Sequence, residues 1–542
     1  MEAPAKLTKQ QKRDLKRATA ACKVQGPPRP LHGSSSIAVP QVSVYKREAK
    51  IPLVPCLSTA EARLCKQRFI APSDGELYKR ILGTSYAGLV VDGPKAFTEH
   101  KVFQSAMSDL KKSSYYQFDF TQPGGLGTKV AKTLVTRCLV GIPGITYKYL
   151  GLRMFGFPWT AGEPGATASL VKIGEMNDLL CARTKTHLAG MPGAGSCQYN
   201  LTLINLCSNC DTAGSSKPEP LFGKDRITVS WHADSSLQHY SSIAVYHFAV
   251  DNEEDESWRI AVRVKPNAEG PSINKKVPEE EKLLEIPSLA FPLKSGSCYF
   301  LLDDFNHHHQ HSVIQGKTER YASTHRVSRQ QQDFFYIRSQ CQSVLMDGAI
   351  SPTGKLIRGQ LLVLSELEFE WIRQFFIQGS FHREKQVWWK QPIEELLDLW
   401  ARLEEGQFKA IQSLLDAASG EFDEIKEGLE RKERKWAAKR KKSADAVENE
   451  SFVEMLAALD DKLAKRGGWH EREEDEIYLS APAECCPLQV PFPIIKHPLA
   501  GHGYAPGTDK SQRTLRGLRE RVKLAHEDFK EGESRMKKRK LE

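Results

Sequence analysis

The sequence predicts an α+β protein: a β-sandwich or jelly-roll barrel followed by a helical domain. Three observations carry this expectation. Between residues 196 and 328, short runs with period-two alternation are separated by turn signals. After about residue 365 the apolar period becomes helical. The chain has 542 residues, 40% of them hydrophobic and 27% charged, enough for several cores and unlike fibrous or wholly disordered usage.

Taken in order, residues 1–73 mix basic stretches with Pro, Ser and Gly, as in Gly26–Pro30 and Gly33–Ser36, a composition expected of a mobile tail. Asp74–Arg80 and Phe97–Lys112 have helical character, the second placing Val102, Phe103, Ala106 and Leu110 at helical spacing. Lys129–Trp159 alternates short apolar runs with Gly and Pro, which suits strands or a surface-lining loop. In Arg226–His232, Ile227, Val229 and Trp231 alternate with Thr228, Ser230 and His232, giving a strand with one packed side. Further β-type runs are Ile243–Val250, Trp258–Val264, Cys298–Leu302 and Tyr321–Val327.

Helical spacing then takes over. Leu367, Trp371, Phe375 and Phe376 fall near one face, and Pro392, suited to a first helical position, opens a run carrying Ile393, Leu396, Leu397, Trp400 and Leu403. Glu421–Arg466 continues with dense charge and fewer apolar anchors. The expected division is a basic tail over 1–73, a β domain over 74–328, a helical domain over 329–480 and a Pro-containing basic tail over 481–542.

No run of about 18 apolar residues is present, so no membrane-spanning helix is expected, and the basic start lacks the apolar core of a secretory signal. The net charge of +10 is carried by the ends. Residues 1–30 hold 8 basic against 2 acidic side chains and residues 501–542 hold 12 against 7, leaving 57 against 58 between them. Any nucleic-acid affinity of the middle must come from local patches. The run Arg535, Lys537, Lys538, Arg539, Lys540 reads as a nuclear-import or phosphate-binding segment, so the expected location is the nucleus, with the cytoplasm as a second site.

The chemistry-bearing residues begin with His232 and Asp234, two apart and so on one strand face, where an imidazole and a carboxylate can share a cation. A third ligand is available from His307, His308, His309 or His311. Two His and one carboxylate on one side of a metal form the facial triad of non-haem Fe(II) oxygenases. Arg320 and Arg326, six apart, also share a face, and their planar forks suit an anionic co-substrate such as 2-oxoglutarate.

The segments VSWHAD (229–234), CYFLLDDFNHHHQHSVIQG (298–316) and RYASTHRV (320–327), with PGITYKYLGLRMF (143–155), YNLTLIN (199–205), ELEFEWIRQFFIQG (366–379) and WWKQP (388–392), resemble the AlkB-like Fe(II)/2-oxoglutarate dioxygenases. Within them they resemble the fat mass and obesity-associated branch, which adds a helical C-terminal domain.

The resemblance implies a double-stranded β-helix (jelly-roll) oxygenase domain and oxidative demethylation of N-methylated bases in single-stranded RNA or DNA. N6-methyladenine in RNA comes first and N3-methylated pyrimidines second, with formaldehyde, succinate and CO2 as products and Fe(II), 2-oxoglutarate and O2 required. It implies His232, Asp234 and His311 as metal ligands, Arg320 on the distal carboxylate of 2-oxoglutarate with Tyr299 and Asn200, and Arg326 near the chelating end. For the base it implies Arg137, Tyr147, Tyr149 and Leu150, with the backbone of Val229, Ser230 and Trp231 as a wall, and Lys129 and Lys217 near the nucleic-acid strand. Cys207–Lys224 stands where the family has a lid. Two positions depart from the pattern: Ser235 replaces a glutamate beside the metal Asp, and Ala322 replaces a serine that helps hold the co-substrate. The rival readings are a 2-oxoglutarate oxygenase acting on protein or a small molecule, and a catalytically silent RNA-binding module.

Overall fold

The computed structural model describes residues 53–117, 120–121, 131–132, 135–149, 152–207, 217–250, 256–266, 285–346, 362–377, 385–428, 449–473 and 509–539. Ordered structure starts earlier than the composition predicts. Helix α1 (Thr59–Cys65) has a capping box, in which the Ser58 hydroxyl accepts from the Glu61 N–H and the Glu61 carboxylate accepts from the Ser58 N–H. Phe69 and Ile70 are buried, and Ile70 bridges to Leu289. This cap, with buried Cys65, Phe69 and Ile70 and with Val54, Leu57 and Leu64 packed beside the core, docks a stretch expected to belong to the tail. The basic segment before residue 53 lies outside the described residues.

Helices α2 (Glu76–Thr84) and α3 (His100–Lys112) fall where the spacing predicts, α3 burying Phe103, Ala106 and Leu110 while Val102 faces out. Helix α4 (Ala168–Leu188) is not anticipated above, although Leu170, Ile173, Met176 and Leu180 recur at three-four spacing and are all buried. Sixteen strands are described: β1 (Leu89–Asp92), β2 (Phe120–Thr121), β3 (Ala131–Lys132), β4 (Thr136–Gly141), β5 (Thr146–Tyr149), β6 (Leu152–Phe155), β7 (Phe157–Pro158), β8 (Leu201–Cys207), β9 (Lys217–Pro218), β10 (Arg226–His232), β11 (Ile243–Ala249), β12 (Arg259–Val264), β13 (Leu289–Pro292), β14 (Cys298–Leu301), β15 (His309–Ile314) and β16 (Arg320–Arg326).

The strands build two larger sheets. One has seven strands in the order β1-β14-β11-β16-β8-β4-β7, and the other has five in the order β13-β12-β15-β10-β9. All pairings within them are antiparallel except β4 with β7. Leu203, Val245, Tyr299 and Ala322 of the larger sheet share one apolar cluster with Ile260, Val262, Leu289 and Phe291 of the smaller, so these side chains point inward between the sheets. The alternate residues of the larger sheet, including Ile204, Tyr246, Phe300 and Tyr321, pack with Met107, Leu170, Ile173 and Leu180 of α3 and α4. This two-sided covering explains why β11 is buried at every position rather than alternating. The result is an α+β protein.

Helix α5 (Phe334–Met346), a π-helical stretch Glu366–Ile372 that continues as Arg373–Ile377, and α6 (Lys390–Gly428) gather Trp371, Phe375, Trp389 and Trp400 into one core. Phe155 of β6 belongs to that core, with ring centroids 5.0 Å from Phe375 and 4.9 Å from Trp389. A further cluster joins Leu414 of α6 to Phe452 and Met455 of α7 (Asn449–Glu473) and Leu518, Val522 and Phe529 of α8 (Asp509–Arg539). The expectation of a tail over 481–542 is therefore corrected for residues 509–539. The basic side chains that suggest a solvated end share the segment with an apolar stripe at helical spacing, which docks it. Residues 474–508, and the side chains of the run from Arg535 to Lys540, lie outside the described residues.

Candidate metal centre and pocket

Strand β10 reaches its neighbour β15 through two register irregularities, with Ile227 opposite Ile314, Val229 opposite Val313 and His232 opposite His311. Each irregularity adds one residue to β10, and together they bring the two imidazoles beside each other, ring centroids 4.2 Å apart and planes tilted by 53°. Asp234 lies just past the strand. Its N–H donates to Asn306 Oδ1 and its carbonyl accepts from Asn306 Nδ2, both at 2.9 Å, a clip that fixes where the carboxylate stands. Of the residues expected as ligands, His232, Asp234 and His311 place their ligand atoms within 4.8 Å of one another. His309 instead stacks on Phe305 at 3.9 Å and packs against Tyr86.

Protonation suits a cation. The His232 Nδ1–H donates to the Ser230 carbonyl at 2.8 Å, which leaves the Nε2 lone pair for the centre, 3.6 Å from Asp234 Oδ1. Burial, then the neighbouring His232, pushes the His311 imidazole down to about 3, so it too offers a lone pair. Burial alone would raise the Asp234 carboxyl, but Arg326, His232 and His311 outweigh it and hold the group below the usual carboxylate range. Arg326 Nε lies 2.9 Å from Asp234 Oδ2. Two imidazoles and one carboxylate converging from one side are the donor set that Fe(II) takes in oxygenases, and this set fits it.

Deeper between the sheets, Arg320 is 3% exposed, and its Nε and Nη1 have no hydrogen-bond partner among the described residues. A buried guanidinium with unused N–H groups fits a carboxylate-bearing co-substrate. Its guanidinium carbon lies 5.0 Å from the Trp258 ring centroid, and buried Tyr299 shares the inward face. Asn200 is placed differently from its expected role: its Oδ1 accepts from the Ser328 N–H at 2.9 Å, beside the start of β8. The amide that β8 turns inward is Asn205, paired across the sheet with Ala322 and accepting from Arg137 Nε at 3.0 Å.

Around the mouth, Tyr147 is buried with the Arg326 guanidinium 5.0 Å from its ring centroid, and it hydrogen-bonds Ser235. The Val229 carbonyl accepts from the Ser312 hydroxyl, and Val229 packs with the inward cluster. Trp231 turns its side chain the other way, donating to Glu219 at 3.0 Å among Phe69 and Phe222. Lys217 is exposed on β9, opposite Ile227 of β10. Lys129, Leu150, residues 208–216 of the lid segment and the side chain of Tyr149 lie outside the described residues. Sequence reasoning missed Asn306 and Asn205. Only Asn306 carried a usable signal, standing directly before the His-rich stretch.

Residues 76–329 match the family model described as FTO catalytic domain, and residues 332–500 match that of the FTO C-terminal domain. A relative from Xenopus laevis, the alpha-ketoglutarate-dependent dioxygenase FTO, is 30% identical over 364 residues, covering 56% of this chain and 69% of that protein. With a matching donor set and a guanidinium ready for the co-substrate, the chain belongs to the FTO family of Fe(II)- and 2-oxoglutarate-dependent dioxygenases.

Proposed function

We propose that this dioxygenase demethylates N-methylated bases in single-stranded nucleic acid, with N6-methyladenine in RNA as its first substrate and formaldehyde, succinate and CO2 as products. The observation that carries the reading is the convergence of His232, Asp234 and His311 beside the buried guanidinium of Arg320. Bound Fe(II), with 2-oxoglutarate and dioxygen, supplies the oxidation of the N-methyl group. The chain's residues do the rest. His232, Asp234 and His311 hold the metal, Arg320 and Tyr299 orient the co-substrate, and Arg326 keeps Asp234 ionised. Tyr147 offers a face on which an unpaired base can stack, with Arg137 and the backbone of Val229 and Ser230 beside it, and the resemblance adds Tyr149 and Leu150 to the same role. The N-hydroxymethyl product sheds formaldehyde in water, so no side-chain base is assigned.

Ser235 in place of a glutamate removes an anionic acceptor from the base side, which favours a broader choice of methylated base. The reading includes a jelly-roll oxygenase domain over 74–328, supported by two sheets of the orders given above that are antiparallel but for β4 with β7, and a helical domain over 329–480. It places the protein in the nucleus on the strength of its basic ends. The test is mass spectrometry of base products from methylated RNA and DNA oligonucleotides. N6-methyladenine in RNA is expected to turn over fastest, and His232→Ala to bind RNA equally without turnover. Wild type as inactive as His232→Ala, with iron and 2-oxoglutarate supplied, would contradict the proposal.

A further inference from the structure

The His-rich stretch supplies four imidazoles, and the iron centre takes one of them, His311. His309 packs against Phe305 and Tyr86. His307 and His308 belong to neither arrangement. They end a one-turn helix, Phe305–His308, whose N-cap is Asp304. Asp304, His307 and His308 are thus i, i+3 and i+4, neighbours on one helical face. The Asp304 side chain makes no capping hydrogen bond and stands 3.8 Å from His308, Oδ2 to Nε2. The His307 ring centroid is 4.7 Å from that of His308, the planes perpendicular. His308 is 7% exposed, yet its Nε2 has no hydrogen-bond partner among the described residues. Buried polar atoms are rarely left so. At 3.8 Å the carboxylate is too far to hydrogen-bond it. A zinc ion can bridge that gap, because an imidazole nitrogen at about 2.1 Å and a carboxylate oxygen at about 2.2 Å from one ion stand up to about 4.3 Å apart.

We infer that Asp304, His307 and His308 form a zinc site that shares no ligand with the iron centre. Two imidazoles and a carboxylate, completed by a water, are a donor set that zinc takes. Asp304 and His308 already face each other, and exposed His307 closes the set by turning about its side-chain torsions. Burial, with the nearby charge of Lys265, holds both imidazoles below their ordinary range, so each keeps a lone pair at neutral pH. The Lys265 ammonium donates to the Asn306 and His307 carbonyls at 3.1 and 2.6 Å. Its charge opposes a cation, and the Asp304 carboxylate offsets it. Fe(II) and Mn(II) bind nitrogen and oxygen donors less tightly than zinc, so this open set selects zinc over the metals of the oxygenase centre.

The test is the zinc content of the full chain after dialysis against buffered Zn(II). Zinc also suits the donors of His232, Asp234 and His311, so wild type should hold two equivalents and Asp234→Ala one. Asp234→Ala/His308→Ala should hold none, its zinc affinity lowered by more than about a hundredfold, the upper end for loss of an outer-shell partner alone. Zinc should raise the urea midpoint of Asp234→Ala and leave that of the double variant unmoved, since a ligand of the folded state stabilises it only where it binds. If the His308 substitution does not fold, Asp304→Asn takes its place, keeping the shape of the side chain and removing its charge. Asp234→Ala without zinc, or one equivalent retained when His308 or Asp304 is also replaced, overturns the inference.

Discussion

Arg326 Nε stands 2.9 Å from Asp234 Oδ2, with both side chains at most 6% exposed. The contact is a buried ion pair, in which the Coulombic attraction is little screened by water. It keeps a metal-ligating carboxylate charged inside the protein. Removing one partner of a buried pair leaves the other uncompensated, at a cost of about 3–5 kcal/mol. Arg326→Met is therefore expected to lose stability of that order in chelator-treated protein and distinctly less with Mn(II), because the cation compensates Asp234 instead. Urea unfolding with and without metal measures this; equal losses in both states would refute it.

His325 is buried on β16 among Thr202, Asn177 and Ser323, and burial together with the neighbouring charge of Arg326 pushes its imidazole down to about 3. An unfolded histidine titrates near about 6.5. Above that pH neither state holds the proton. As pH falls from about 6.5 towards 3, the unfolded chain gains a proton that the folded chain refuses, so stability drops by about 1.4 kcal/mol per pH unit from this residue. His325→Gln should show a shallower fall of urea-unfolding free energy between pH 6.5 and 5, by about one proton's share. Parallel curves would rule the residue out as a source.

The helical region shields apolar surface of the β domain. Phe155 is 1% exposed among Trp371, Phe375 and Trp389, and the Trp389 indole donates to the Gly156 carbonyl at 2.8 Å. A fragment ending at residue 328 should be insoluble or inactive, and Phe155→Ala in the full chain should cost about 3–5 kcal/mol. A soluble fragment with full activity would show that the contact is dispensable.

Lys217 is expected to act, if it touches nucleic acid, as a point charge. Lys217→Ala should weaken single-stranded RNA uniformly across sequences and lower the slope of log affinity against log salt by about 0.7. An unchanged slope would mark it as a solvated lysine on a sheet edge.

Much of the β domain is legible from its short apolar runs and the turns between them. β10, β11, β12, β14 and β16 lie within a residue or two of their expected bounds because short β-branched and aromatic runs bounded by turn residues mark a strand even where both faces are buried. The apolar spacing of helix α4 is regular and marks it in the sequence, whereas the dense charge of α8 masks its apolar stripe. The pairing of His232 with His311 depends on two added residues in β10, and a bulge leaves no mark in residue type. Asn205 escaped notice for a related reason. A single polar residue in a strand acquires meaning only from its cross-strand neighbours, here Ala322 and the pocket beyond it.

The most direct measurement is the metal stoichiometry of the full chain by anaerobic Fe(II) titration. Wild type should bind one equivalent in the presence of 2-oxoglutarate, and His232→Ala, Asp234→Ala and His311→Ala should each lose that binding while remaining folded. Unaltered one-to-one binding by all three variants would place the metal elsewhere and contradict the account.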